Sequence, residues 1–190
     1  MNPVIDISDT RLTTKRLILR PFEKDDLNDF YEYAKVDGVG QMAGWKPHEN
    51  MEESAFILDL FINEKKTFAL EYQGKVIGSL GIEKYNEEHF PEFKDVKARE
   101  IGYVLSKEYW GRGLMPEAVK EVIRWLFEEV ELEAIFCGHF IWNRQSARVI
   151  EKCGFKHYAY DRFETLLGTV EDDEVCILKK EDWQNSRRDI

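Results

Sequence analysis

The chain has 190 residues, 43% of them apolar and 13% aromatic, enough for one buried core, and it reads as a single domain over residues 1–190 with a flexible tail at 1–9. A formal charge of −10 argues against a nucleic-acid partner, because phosphate binding rests on basic side chains, and suits a cationic ligand. No run reaches the roughly 18 apolar residues of a membrane span and MNPVIDISDTR lacks the apolar stretch of a signal peptide, so the expectation is a cytoplasmic protein without a membrane partner, as a monomer or homodimer.

RLTTKRLILR (residues 11–20) predicts a first strand closed by Pro21, and Leu27, Phe30, Tyr31 and Ala34 share one stripe of a helix over Asp25–Val36. A glycine-rich break precedes a second helix near Met51–Asn63. TFALEYQGKVIGSLGIEKY reads as a hairpin around Gln73-Gly74, followed by a charged loop at 87–97. REIGYVLS (99–106) is a strand. Ala118, Val119, Val122, Ile123, Leu126, Phe127 and Val130 then recur at helical spacing, opposite Glu117, Lys120, Glu121, Arg124 and Glu128. AIFCGHFIW (134–142) is the next strand, and a short helix over Arg144–Cys153 ends at Gly154, a residue suited to a left-handed stop. Two last strands, roughly 155–164 and 170–178, flank an acidic turn, and the run Glu171, Asp172, Asp173, Glu174 is able to attract a positively charged acceptor. This order predicts an α/β (α+β) fold built on a mixed sheet with helices on both faces.

Cys137, Cys153 and Cys176 lie in apolar segments and read as buried free thiols; no C-x-x-C or H-x-x-x-H spacing suggests a metal, and none is expected. Cys137 and His139 share one face of their strand, as a reactive pair or, the simpler reading, as packing. Chemistry is concentrated instead in EYWGRGLMPEA, where Gly111 and Gly113 flank an arginine between a strand and an amphipathic helix. Such a turn leaves several N–H groups unpaired at the positive end of the helix dipole, an anion site suited to a pyrophosphate or, equally, a plain tight turn. It lacks the Gly-Lys-Ser/Thr ending of a Walker loop and the third glycine of a dinucleotide fingerprint, since Pro116 occupies that position. On the next strand-to-helix turn Asn143 is placed to cap a helix whose first turn holds Ser146.

TKRLILRPFEKDD, GWKPH, EIGYVLSKEYWGRGLMPEAVKEVI and WNRQSARVIEKCGF, in this order and spacing over nearly the whole chain, resemble the GNAT superfamily of acyl-CoA-dependent N-acyltransferases, in particular its RimJ/RimL-like branch of ribosomal-protein N-terminal acetyltransferases. The resemblance implies a mostly antiparallel central sheet and acetyl-CoA as cosubstrate. It further implies that Gly111, Arg112, Gly113, Leu114 and Met115 hold the pyrophosphate, that the pantetheine arm lies along Tyr103, Val104 and Leu105, and that Asn143 and Ser146 meet the thioester end. Two departures stand out: Glu108 occupies a position where the family often has Gln or Arg, and Pro116 has no N–H to donate.

The chemistry so implied is direct attack by an amine, with no cysteine nucleophile. Backbone N–H near Val104 and Leu105 would stabilise an oxyanion if their strand splays from its neighbour. Glu100 is the candidate base, against the alternative of a solvated ion-pair member, and Ser146 the candidate donor to the departing sulfur. Trp45, His48 and Trp142 are candidates for the acceptor side, or core aromatics. The expected acceptor is an α-amino group of a protein or peptide. Small amines such as polyamines or aminoglycosides, and a non-catalytic acyl-CoA-binding module, are the alternatives.

Overall fold

Eight strands pair into one sheet in the computed structural model, which describes residues 1–188. The strands are β1 (Leu12–Thr13), β2 (Leu17–Pro21), β3 (Thr67–Tyr72), β4 (Lys75–Glu83), β5 (Ala98–Leu105), β6 (Ala134–Phe140), β7 (Lys156–Glu164) and β8 (Val170–Lys179). Their order across the sheet is β1-β2-β3-β4-β5-β6-β8-β7. Every neighbouring pair is antiparallel except β5 and β6, which run parallel over only Ala98↔Ala134, Arg99↔Ile135 and Glu100↔Phe136.

The helices are α1 (Leu27–Ala34), α2 (Met51–Glu64), α3 (Leu114–Glu128), α4 (Arg144–Lys152) and α5 (Lys180–Ser186). The apolar stripe of α3 is fully buried in the main core with Leu17, Phe68, Ile101, Cys137 and Ile150, so α3 and α4 cover one face of the sheet. The opposite face is covered by α1 and α2 around Phe30 and Leu58, and by the 87–97 loop, whose Phe90 stacks on Phe136 while Phe93 meets it edge-on. The polar face of α3 carries Arg124 between Glu121 and Glu128, the exposed spacing that adds only tenths of a kcal/mol per pair.

Two expectations change. The first nine residues are not a free tail: Ile5 and Ile7 are buried, and the Ile7 N–H donates to the Lys65 carbonyl at 2.9 Å. Their alternation, too short to register as a strand, is what docks them. The run Glu171–Glu174 opens β8, inside the strand predicted over 170–178, and the turn before it, 165–169, holds no acidic residue. The short α5 has one large apolar anchor, Trp183 against Phe127 at 5.3 Å between centroids, too little periodicity to predict a helix.

Phe127 is among the largest fully buried side chains. Phe127→Ala should cost about 3–5 kcal/mol in urea unfolding, whereas a loss under about 1 kcal/mol would mean that this core collapses freely around the cavity.

Candidate active site

The site begins where the parallel pairing ends. Beyond Glu100, β5 continues its ladder with β4 as far as Leu105↔Gly78, while β6 beyond Phe136 pairs only with β8. The two strands therefore diverge and leave one edge of β5 unpaired. The Ser106 N–H donates to the Ile77 carbonyl at 2.7 Å, and peptide groups alternate along a strand, so Tyr103 and Leu105 turn their main chain towards the opening while Val104 turns its own to β4. The Leu105 carbonyl on that edge accepts from Trp110 Nε1 at 2.8 Å.

The Gly111-Arg112-Gly113 turn closes one end of the opening. Both glycines are left-handed, at φ +74° and +73°, and a β-carbon at Gly111 would meet nothing within 4 Å. Glycine is required here by conformation rather than by crowding. The result is a run of N–H groups at Gly111, Arg112, Gly113, Leu114 and Met115 without an acceptor among the described residues; the first helical bond is Glu117 N–H to the Gly113 carbonyl, at 3.4 Å. Pro116 adds no donor. The acidic first-turn residue Glu117 is held by Arg16 at 2.7 Å and Thr14 at 2.6 Å. Arg112 lies over the Tyr109 ring, 5.0 Å from its centroid. Arg148 and Lys152 of α4 face the same end, and neither they nor Arg112 forms an ion pair among the described residues. Glu108 is exposed and off the cleft wall.

At the other end, Asn143 is buried at the start of α4, where its Oδ1 accepts from the Ser146 N–H at 3.1 Å and its Nδ2 donates to the Met42 carbonyl at 3.2 Å. This fixes Ser146, whose Oγ lies 2.9 Å from the Tyr103 hydroxyl. Burial pushes the Tyr103 phenol well above its ordinary value, so it stays protonated. A cleft of about 370 Å³ runs from Gly111–Pro116 along Tyr103–Leu105 to Asn143 and Ser146. Of the residues singled out in the sequence for cofactor or catalysis, all line it except Glu100 and Arg112.

Glu100 sits on the last parallel rung, facing the α1 and α2 side, with no hydrogen-bond or ion-pair partner among the described residues. Burial first, then the carboxylates of Asp173, Glu83 and Asp161, push its pKa up to about 7. Asp173 is raised to about 6, chiefly by burial. It lies over Gly138, where a β-carbon would come within 2.5 Å of its Oδ2. His48 and Trp142 stand apart from the cleft. His48 is buried edge-on to Phe30, with Nδ1 2.7 Å from Ser54 Oγ, and Trp142 Nε1 donates to Glu171 at 2.9 Å. The Tyr103 hydroxyl, the Trp110 indole and the Asp173–Gly138 pair were not singled out. Strand alternation, which sets Tyr103 opposite Glu100, was the available signal for the first.

Among the described residues no helix is long and apolar enough to cross a membrane. The acetyltransferase (GNAT) domain profile matches residues 16–156. The chain is 27% identical to the uncharacterized N-acetyltransferase YnaD of Bacillus subtilis, over 90% of this chain and 91% of that one. It is 24% identical to the [ribosomal protein uS5]-alanine N-acetyltransferase of Escherichia coli, over 96% and 97% of the two chains. Its fold superposes with a TM-score of 0.71, at 17% identity over 87% of this chain and 93% of the other, on the microcin C7 self-immunity acetyltransferase MccE, whose structure holds acetyl-CoA and AMP. A profile spanning most of the chain, on a mixed sheet whose one parallel pair opens beside an unpaired-amide turn, makes this protein a member of the GNAT acetyltransferases, an acyl-transferring enzyme of the N-acetyltransferase kind.

Proposed function

We propose that the enzyme moves an acetyl group from acetyl-CoA to an α-amino group of a protein or peptide. The observation that carries the reading is the run of unpaired amides at Gly111–Met115, opening onto a cleft along the free edge of β5. Five N–H groups at a helix start, with Arg112, Arg148 and Lys152 nearby, suit a pyrophosphate. The pantetheine amides would then continue the sheet against Tyr103 and Leu105, bringing the thioester towards Asn143 and Ser146.

In the transfer, the amine nitrogen forms a bond to the thioester carbonyl carbon, the C–S bond breaks, and the sulfur leaves as thiolate and takes a proton. Ser146 Oγ is the donor, its proton replaced from the Tyr103 hydroxyl at 2.9 Å, which regains one from solvent in the open cleft. The proton lost by the amine goes to Glu100, directly or through water. At pH 7 an α-amine costs only about 1 kcal/mol to deprotonate, against about 4.6 kcal/mol for a lysine. A carboxylate titrating near 7 is therefore sufficient for the first and poor for the second. A relative that acts on a ribosomal-protein alanine supports the same acceptor class. Glu100 and Asp173, carboxylates without cationic partners, favour a small polyamine as the second reading.

Thiol release from acetyl-CoA with a panel of free-amine peptides and polyamines, alongside thermal stabilisation by CoA, tests the proposal. Turnover on peptides is expected; turnover confined to polyamines selects the second reading, and stabilisation with no turnover on any amine removes the catalytic one. Gly113→Val forces a β-branched residue into the left-handed region at about 1–2 kcal/mol and should weaken CoA binding more than about tenfold by calorimetry; unchanged affinity would take the pyrophosphate out of this turn. Ser146→Ala should lower kcat about 100-fold with CoA affinity preserved. For Glu100 the sign follows from its raised pKa: the penalty on the ionised form is absent in acid and grows as pH rises to about 7. Glu100→Gln should thus be more stable than the parent at pH 8, by about 1–3 kcal/mol, and about equal near pH 4. In the same variant the rise of kcat/KM through neutral pH should flatten.

A further inference from the structure

We propose that His139, His157, Glu174 and Cys176 form a binding site for a divalent transition metal, with zinc the best match, on the sheet face that carries α4. Three adjacent strands supply the donors. His139 on β6 is directly opposite Glu174 on β8, and His157 on β7 is directly opposite Cys176 on β8. The irregularity in β7 between His157 and Ala159 is a bulge that keeps His157 on the face of Glu174 and Cys176, the re-aiming such bulges perform beside functional groups. Donor atoms of His139, Glu174 and Cys176 all lie within 4.8 Å of one another, and His157 Nδ1 is 2.9 Å from Glu174 Oε1. A tetrahedral shell with bonds of about 2.0–2.3 Å sets its ligands about 3.3–3.8 Å apart, so for His139, Glu174 and Cys176 closing on an ion takes side-chain movements of about an ångström, and the half-exposed His157 swings in from the rim as the fourth ligand.

The buried His139 makes the stronger case. Its Nδ1 is 2.9 Å from the Phe140 carbonyl, an oxygen that only accepts, so Nδ1 donates there and Nε2 is the ring atom turned to the cluster. Nε2 faces Glu174 Oε2 at 3.4 Å, a spacing at which a metal ion or a ring proton joins the two atoms. The Nδ1–H to carbonyl bond is also the support that orients metal-bound imidazoles. A set of two imidazoles, a carboxylate and a thiol suits zinc or cobalt and disfavours magnesium and calcium, which prefer oxygen. Burial and Glu174 push the Cys176 thiol up to about 11, so it is protonated without the ion. Binding breaks its S–H bond, forms the metal–sulfur bond and sends the proton to solvent, and carboxylate plus thiolate then balance the double positive charge. His157, about half exposed at 47%, gives the way in. The site lies outside the cleft and does not depend on the identity of the acceptor.

Cobalt(II) titration of the untagged full chain, reduced and stripped with chelator, tests this. One equivalent is expected to give tetrahedral visible bands with a thiolate-to-cobalt charge-transfer band, displaced by zinc. Cys176→Ser should abolish the charge-transfer band, and His157→Gln, at a half-exposed position, should weaken cobalt binding at least about tenfold. No charge-transfer band in the parent would overturn the proposal, leaving Glu174 simply a partner of two histidines. So would a band that survives Cys176→Ser, which would assign the metal to another thiol, or cobalt affinity unchanged in His157→Gln.

Discussion

Three parallel rungs join β5 to β6, and the organisation of the site follows from their ending at Glu100 and Phe136. A sheet that stayed closed would satisfy every amide of β5 and leave no cleft. By parting, the strands leave Tyr103 and Leu105 with unpaired edges and set the two following helix starts on either side of one opening. The helices then need little further instruction. The start of α3 is held open by two left-handed glycines, and that of α4 is closed by Asn143, which also ties down Met42.

Charge is divided across this opening in a way the net value conceals. A chain at −10 nevertheless gathers Arg112, Arg148, Lys152 and five free amides at one end of the cleft, and the nearest acid of the turn, Glu117, is neutralised by Arg16. The other face of the sheet carries Glu83 and Glu100 on β4 and β5, and Asp173 and Asp161 on β8 and β7, across β6. Of these, Glu83 is paired with Lys66 and Asp161 with His89, while Glu100 and Asp173, which have no ion-pair partner among the described residues, keep pKa values raised chiefly by burial. One end of the molecule thus suits an anion and the other face a cation, as transfer from a phosphorylated donor to an amine requires.

Much of this was legible in the sequence. Long periodic segments such as α3 declare themselves, and the G-R-G turn and Asn143 could be placed because both follow strands and precede helices. Residues brought together by register were not legible. Tyr103 and Ser146 are 43 positions apart, and their contact depends on how β5 and α4 face each other. Likewise no H-x-x-x-H or C-x-x-C spacing hints at His139, His157, Glu174 and Cys176, because β8 lies between β6 and β7 although it follows both in the chain. Asp173 is a case of the same kind: its strand was legible, but its place over Gly138 follows from how β8 pairs with β6 and not from any pattern within the run Glu171–Glu174.

The short parallel seam has a mechanical meaning as well. Strands β1 to β5 form one half-sheet and β6 to β8 another, with few main-chain bonds between them. Any extended molecule lying along Tyr103 and Leu105 would supply rungs the polypeptide omits, acting as a borrowed strand that knits the halves. Resistance to local opening, and with it susceptibility to proteases, would then track the abundance of that molecule, making the enzyme's lifetime a readout of cofactor supply.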